Sequence, residues 1–247
     1  MKKLPLLLAV LVAAAAHAGP TPTVKLKGID PAVYLQKRNH RPDVSGELRR
    51  LPAGVAVAVL DDPMAFVVDD SAYPAGIKAD ERQKLRTVEV RALLQGALTS
   101  LAQRHDLRAF DLLRRHVAHD DDAVAALAAE RLGELDDHRV VEALAGLVKD
   151  QTLRLEVRAA ACAGLGHVRS QEALEALLPA LSSSNKDEIR TAALRALGSL
   201  TSRWAWEARD DVATGDHLRA AALRAVQAVE GDADVVAVRD EMLALLR

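Results

Sequence analysis

The chain predicts an all-α fold, a solenoid of about five helical hairpins behind a small mixed or irregular N-terminal region, and three observations point there. The first is a period. Val90-Arg91-Ala92, Val124-Ala125-Ala126, Val157-Arg158-Ala159, Ile189-Arg190-Thr191 and Leu218-Arg219-Ala220 follow one another at spacings of 34, 33, 32 and 29 residues. Eight residues past each opening aliphatic stands Leu98, Leu132, Leu165, Leu197 or Val226, and Glu89, Asp122, Glu156, Glu188 or Asp216 precedes it by one or two places. Repeats of this length mark stacked supersecondary units, because one unit cannot bury its apolar face alone. The second observation is composition: half of the residues are hydrophobic but only 2% are aromatic, which suits helices packed through Ala and Leu and suits neither a sandwich nor a large cofactor cavity. The third is spacing within a copy. Val157, Ala160, Ala161, Gly164 and Leu165 form one helical stripe, while Glu156 and Arg158 are expected to point away from it.

Taken in order, residues 1–18 read as a signal peptide. Lys2 and Lys3 lead into an apolar run over 4–16, and Ala16-His17-Ala18 supplies a small-residue cleavage site before Gly19. The run is shorter than a hydrocarbon layer of about 30 Å demands, and no cysteine follows it to carry lipid. The expectation is a bacterial protein, periplasmic or secreted, with no membrane insertion after cleavage. Loss of two lysines would take the formal charge from −2 to −4.

Residues 19–86 lack the repeat and are expected to form a cap region. Pro20-Thr21-Pro22 suggests an extended tail, 23–29 a short strand, and Asp30-Pro31 the capped start of a turn of helix to about Lys37. The apolar runs 55–60 and 65–68 flank Asp61-Asp62-Pro63 as a strand hairpin.

From 87 to 247 each copy opens with the helix described above, and most continue into a second apolar stripe. These stripes are Phe110, Leu113 and Val117; Val140, Ala143, Leu144 and Leu147; Ala173, Leu174, Leu177, Leu178 and Leu181; and Val235, Val238, Met242 and Leu245. Asp136-Asp137 and Ser182-Ser183-Ser184-Asn185 supply turns and caps between helices. The fourth copy breaks the pattern. Its second helix reads Trp204-Ala205-Trp206-Glu207, with Arg209 and Asp210 where the third copy has Leu177 and Leu178, so the stack is expected to bend or gap there. The lone Cys162 sits on the apolar stripe and reads as a small buried hydrophobe.

An acidic residue, an aliphatic, Arg and an Ala-rich stretch ending in Leu-Gly resemble the HEAT-like repeats of the phycobiliprotein-lyase type; Leu132-Gly133, Leu165-Gly166 and Leu197-Gly198 carry the likeness. It covers about 87–247 and is strongest over 122–200; Leu98-Thr99, Ala125 and Val226-Gln227 depart from it. The resemblance implies a right-handed α-solenoid. It also implies that acidic and arginine residues at the heads of first helices run as a ladder between repeats, a role that falls to Arg91, Arg158, Arg190 and Arg219.

His116 and His119 run into Asp120-Asp121-Asp122, and His105 and His138 fall in corresponding turns, so a metal-dependent helical enzyme built on a His/Asp cluster is the alternative reading. The His-Glu dipeptides of iron-binding HEAT-type hydroxylases are absent, as are phosphate loops and nucleophile elbows. Basic and acidic residues are balanced at 33 and 35 and not segregated, which argues against nucleic acid as a partner. The favoured expectation is a non-enzymatic protein-binding scaffold or adaptor of the cell envelope, with no cofactor. Its candidate contact residues are Arg108, Arg114, Arg115 and Arg139, then Glu172 and Glu175, a change of sign along the second helices, together with Trp204 and Trp206 in the irregular fourth copy.

Overall fold

The computed structural model describes residues 51, 53–67, 76–104, 106, 108–202, 206–207 and 209–246. The signal peptide, the strand expected at 23–29, the helical turn at 30–37, His105 and Trp204 lie outside the described residues. Among those described, every regular element is helical: α1 (Ala53–Asp61), α2 (Ala79–Gln103), α3 (Ala109–His116), α4 (Asp122–Leu132), α5 (Val140–Lys149), α6 (Leu155–His167), α7 (Gln171–Leu177), α8 (Asp187–Leu200), α9 (Val212–Gln227) and α10 (Ala233–Leu246), with 3₁₀ turns at Pro63–Phe66 and Leu178–Leu181. The chain divides into two compact units, Met1–Leu112 and Leu113–Arg247. The boundary expected at 86/87 lies inside the continuous helix α2.

In the first unit the expected strand hairpin is replaced by α1 and a 3₁₀ turn. The reason is periodicity: Val55, Ala56, Val59 and Leu60 are the buried positions, a helical stripe that an alternating strand would have split between two faces. Asp62 does not begin a strand turn. Its carboxylate accepts from the Ala65 amide and Pro63 occupies the first turn, the usual opening of a helical segment. Helix α1 packs on α2, and the buried Ser100 hydroxyl of α2 donates to the Leu51 carbonyl at 2.6 Å.

The second unit is an all-α solenoid. First helices α4, α6 and α8 pack side by side, while α5 and α7 run behind them; α5 leans on α6, and α7 packs on α6 while its 3₁₀ tail leans on α8. The predicted spine residues Leu132, Leu165, Leu197 and Val226 are all fully buried. Pro179 ends α7 early and turns its tail into the 3₁₀ segment, leaving Leu178 partly exposed; Leu245, expected on a buried stripe, is 61% exposed.

The register of the last copy differs from the sequence expectation. Helix α10, not α9, packs against α8 and so continues the row of first helices; α9 packs against α10 and touches α7, which puts it in the row of second helices. The segment around Trp206 is therefore an insertion between α8 and its partner α9. Trp206 is buried, its indole N–H donates to the Leu200 carbonyl at 2.8 Å, and it rests on Gly215 of α9, where any Cβ would lie 2.5 Å from the ring.

The Leu-Gly pairs have a spatial cause. A Cβ on Gly133 would strike the backbone of Gly164, one on Gly164 would lie 2.9 Å from the Ala129 carbonyl oxygen, and one on Gly166 would lie 2.9 Å from both Cα and O of Ala196. Successive first helices thus touch backbone to backbone, a distance only glycine and alanine permit. Gly146 of α5 has nothing within 4 Å of its missing Cβ. Urea unfolding is expected to separate the two kinds: Gly166→Val loses about 1–3 kcal/mol through overpacking against immovable backbone, whereas Gly146→Ala gains about 0.5–1 kcal/mol by removing a flexible residue from a helix.

Candidate functional site

The arginines at the heads of the first helices are drawn inward. Arg158 and Arg190 are buried, contrary to the outward direction expected for Arg158. Nε of Arg158 donates to the Val148 carbonyl at 3.0 Å, Nε of Arg190 to the Leu181 carbonyl at 3.3 Å, and Nη1 of Arg239 to the Val229 carbonyl at 3.2 Å. Each target lies 9 or 10 residues back, at the end of the preceding second helix, where unpaired carbonyls and the negative end of the helix dipole favour a cation. Arg190 also pairs with Asp187 at 2.8 Å and reaches the Glu230 carbonyl in the next turn; Arg158 reaches Asn185.

A ladder therefore exists, but its rungs are guanidinium to carbonyl, and its membership differs from the expected set. Arg91 is exposed, and Arg219 donates instead to the Thr201 carbonyl at 2.9 Å. Arg239 occupies the place assigned to Arg219 because α10 is the first helix of its copy. Below the ladder, burial pushes the Cys162 thiol up to about 12, against the opposing pull of the Arg158 charge, so it is the inert hydrophobe its position suggested.

The turns that lead into second helices carry a different arginine motif. Arg139 grips Asp137 with Nε at 3.0 Å and Nη2 at 2.7 Å while its own amide donates to the same carboxylate, and Arg108 grips Asp106 in the same fashion. The hydrogen bonds from Arg139 hold the Asp137 carboxyl at about 2 instead of 3.8, and those from Arg108 hold Asp106 below its ordinary value. Both arginines reach solvent but carry their own counter-charge. Arg114 and Arg115 of α3 are exposed. On α7, Glu172 is exposed and held below the ordinary range by its own amide and the Ser170 hydroxyl, and Glu175 accepts from Gln171 at 2.8 Å. Trp206 is withdrawn from the surface by burial.

The histidines are placed as follows. His116 is buried and stacks on His119, ring centroids 6.2 Å apart, and Nδ1 of His119 accepts from the Asp121 amide at 2.9 Å. Asp121 caps α4 through the amides of Ala123 and Val124, and Asp122 pairs with Arg154 of the next copy. His138 is 93% exposed beside Asp137. Among the described residues no group of three His, Cys, Asp or Glu side chains converges as a metal would require. The acid run after His119 thus serves helix capping and an inter-repeat ion pair.

Arg169 and Arg209, in the turns before α7 and α9, and the exposed Asp216, His217 and Arg224 of α9 were not among the contact residues expected from the sequence. The 29-residue spacing of the last copy was the signal that its register had slipped.

Residues 153–233 match the family model of HEAT repeats, which supports a HEAT-like repeat protein. A stretch of 64 residues is 41% identical to part of the DNA-directed RNA polymerase subunit beta′ of Synechococcus sp. (strain WH7803); it is 26% of this chain, and the chain spans only 4% of that subunit. An engineered protein solved by crystallography is 19% identical, with a TM-score of 0.38, over 82% of this chain and 87% of that one.

Two outcomes follow from the arginine geometry. Arg190→Met is expected to cost about 1–3 kcal/mol in urea unfolding, because it strands buried carbonyls, while Arg195→Met, exposed on the same helix, stays within about 0.5 kcal/mol. A carbon-detected NMR titration should find the Asp137 carboxyl half-protonated near pH 2, as against the ordinary 3.8. Its contribution to stability is complete above the ordinary carboxylate range and lost as pH falls through the depressed value, and Arg139→Gln should move the midpoint upward.

Proposed function

We propose that this protein is an exported protein-binding scaffold or adaptor of the bacterial cell envelope, its partner docking along the second helices of the repeat stack. HEAT repeats commonly serve as protein-interaction scaffolds, since stacked hairpins expose a long continuous surface at little cost in core. One observation carries the reading for this chain. The ladder arginines are consumed inside the stack, while Glu142, Lys149, Glu172 and Glu175 stand outward on consecutive second helices α5 and α7. Charges so arranged steer and register a partner more than they stabilise the fold.

The Leu-Gly pairs support reading these repeats as the phycobiliprotein-lyase variety of HEAT, a likeness of repeat type that carries no chromophore chemistry with it. Export rests on the leader pattern over 1–18. No described helix is long and apolar enough to cross a membrane.

The test is site-specific photo-crosslinking in living cells. A photoreactive residue at Glu142 or Glu172 is expected to trap one discrete protein, the same residue at Arg195 on a first helix is not, and mass spectrometry of the trapped chain should find Gly19 at its N-terminus. Equal yields from the two helix rows would end the docking proposal; an intact leader would end the export proposal.

A further inference from the structure

Every turn that leads from a first helix into a second one carries an arginine near its end, and the turns differ in what that arginine holds. In the first two copies the partner is built in, Asp106 for Arg108 and Asp137 for Arg139, each two residues back. In the third and fourth copies the arginines are Arg169, half-buried between α6 and α7, and Arg209, exposed between Trp206 and α9. Neither guanidinium is paired with a carboxylate among the described residues.

The acidic side chains on the flanking elements are otherwise occupied or differently placed. Asp211 is committed to capping α9 through the Thr214 amide, and Glu172 to its own amide and the Ser170 hydroxyl. Asp210 is exposed at φ 54°, the left-handed residue that ends the Trp206 turn and lets Arg209 project. Helices α7 and α9 touch, and the charge of Arg209 is felt at Arg169, so the two guanidinium groups share one edge of the second unit.

We propose that Arg169 and Arg209 form a receptor for carboxylates, and that it takes an acidic segment of the partner protein. Partial burial, and then the nearby charge of Arg209, hold Arg169 below its ordinary value, which is the cost of two cations sharing an edge with no anion between them. A guanidinium offers a planar fork that a carboxylate fills with two parallel hydrogen bonds, as the Asp137–Arg139 pair shows within this chain. An incoming Asp or Glu side chain supplies what the turns of copies three and four omit. The buried Trp206, packed on Gly215 beneath the second turn, gives that edge a firm base.

This inference rests on the protein-binding reading and names the chemistry of the partner. It is tested on the full chain with fluorescein-labelled octaglutamate, followed by fluorescence anisotropy at low salt, with far-ultraviolet circular dichroism as the check that each variant is folded. Wild type is expected to bind, with affinity falling as salt screens the contact, and R169Q/R209Q to bind about tenfold or more weakly. R114Q/R115Q, which removes the exposed pair on α3, should bind as wild type does. No binding by wild type, equal binding by R169Q/R209Q, or an equal loss in R114Q/R115Q overturns the proposal, as does stabilisation by inorganic phosphate without any binding of the peptide. If octaglutamate fails while photo-crosslinking from the second helices still succeeds, only this site falls and the scaffold reading stands.

Discussion

The second unit depends on arginines that reach from one helix into the carbonyls left at the end of the helix before it, and two of them, Arg158 and Arg190, are buried. Arg158 and Arg190 enter the stack at the heads of first helices, Arg239 stands half-buried midway along α10, and each satisfies a carbonyl at the end of the preceding second helix. A charged donor in a place where water is excluded is worth more than a neutral one and costs more to lose, so these contacts bind each copy to its neighbour. They also fix polarity: the guanidinium must face the C-terminal end of a helix, where the dipole is negative, and that allows one direction of stacking.

Around these cations the packing is close because the side chains are small. Gly133, Gly164, Gly166 and Ala196 let first helices meet at backbone distance, and the large core residues Leu132, Leu165 and Leu197 fill the space to one side. The first helices therefore form the rigid row of the unit. The second helices make fewer demands on one another, and their outward residues are free to vary in charge. A surface for recognition and a row for cohesion are thus divided between two helices of one hairpin.

The break in the fourth copy illustrates how such a stack accommodates an irregularity. The inserted turn around Trp206 lengthens the link between α8 and α9, and its indole, anchored on the Leu200 carbonyl and seated on Gly215, fills the gap that a regular turn would not leave. The unit continues past it with α10 against α8, so the insertion displaces sequence register without interrupting the row. What changes is the outer edge, where Arg209 now stands next to the turn of Arg169.

By itself the sequence determined the helical class, the repeat, the buried leucine spine and the inert Cys162, because each follows from local spacing: a 3.6-residue stripe and a recurring word about 33 residues long. It misjudged 55–68, where valines suggested strands though their buried positions follow a helical step, and it misread α9 as a first helix because Leu218-Arg219-Ala220 copies the opening word. Only the tertiary structure decided which helix row each element joins, which carbonyl each of two identical-looking arginines finds, and where Trp206 points. Those outcomes depend on which surface an element meets after folding, and that is set by partners distant in the chain: Arg239 and Arg219 head similar words, yet one faces the carbonyls at the end of a second helix and the other the end of α8.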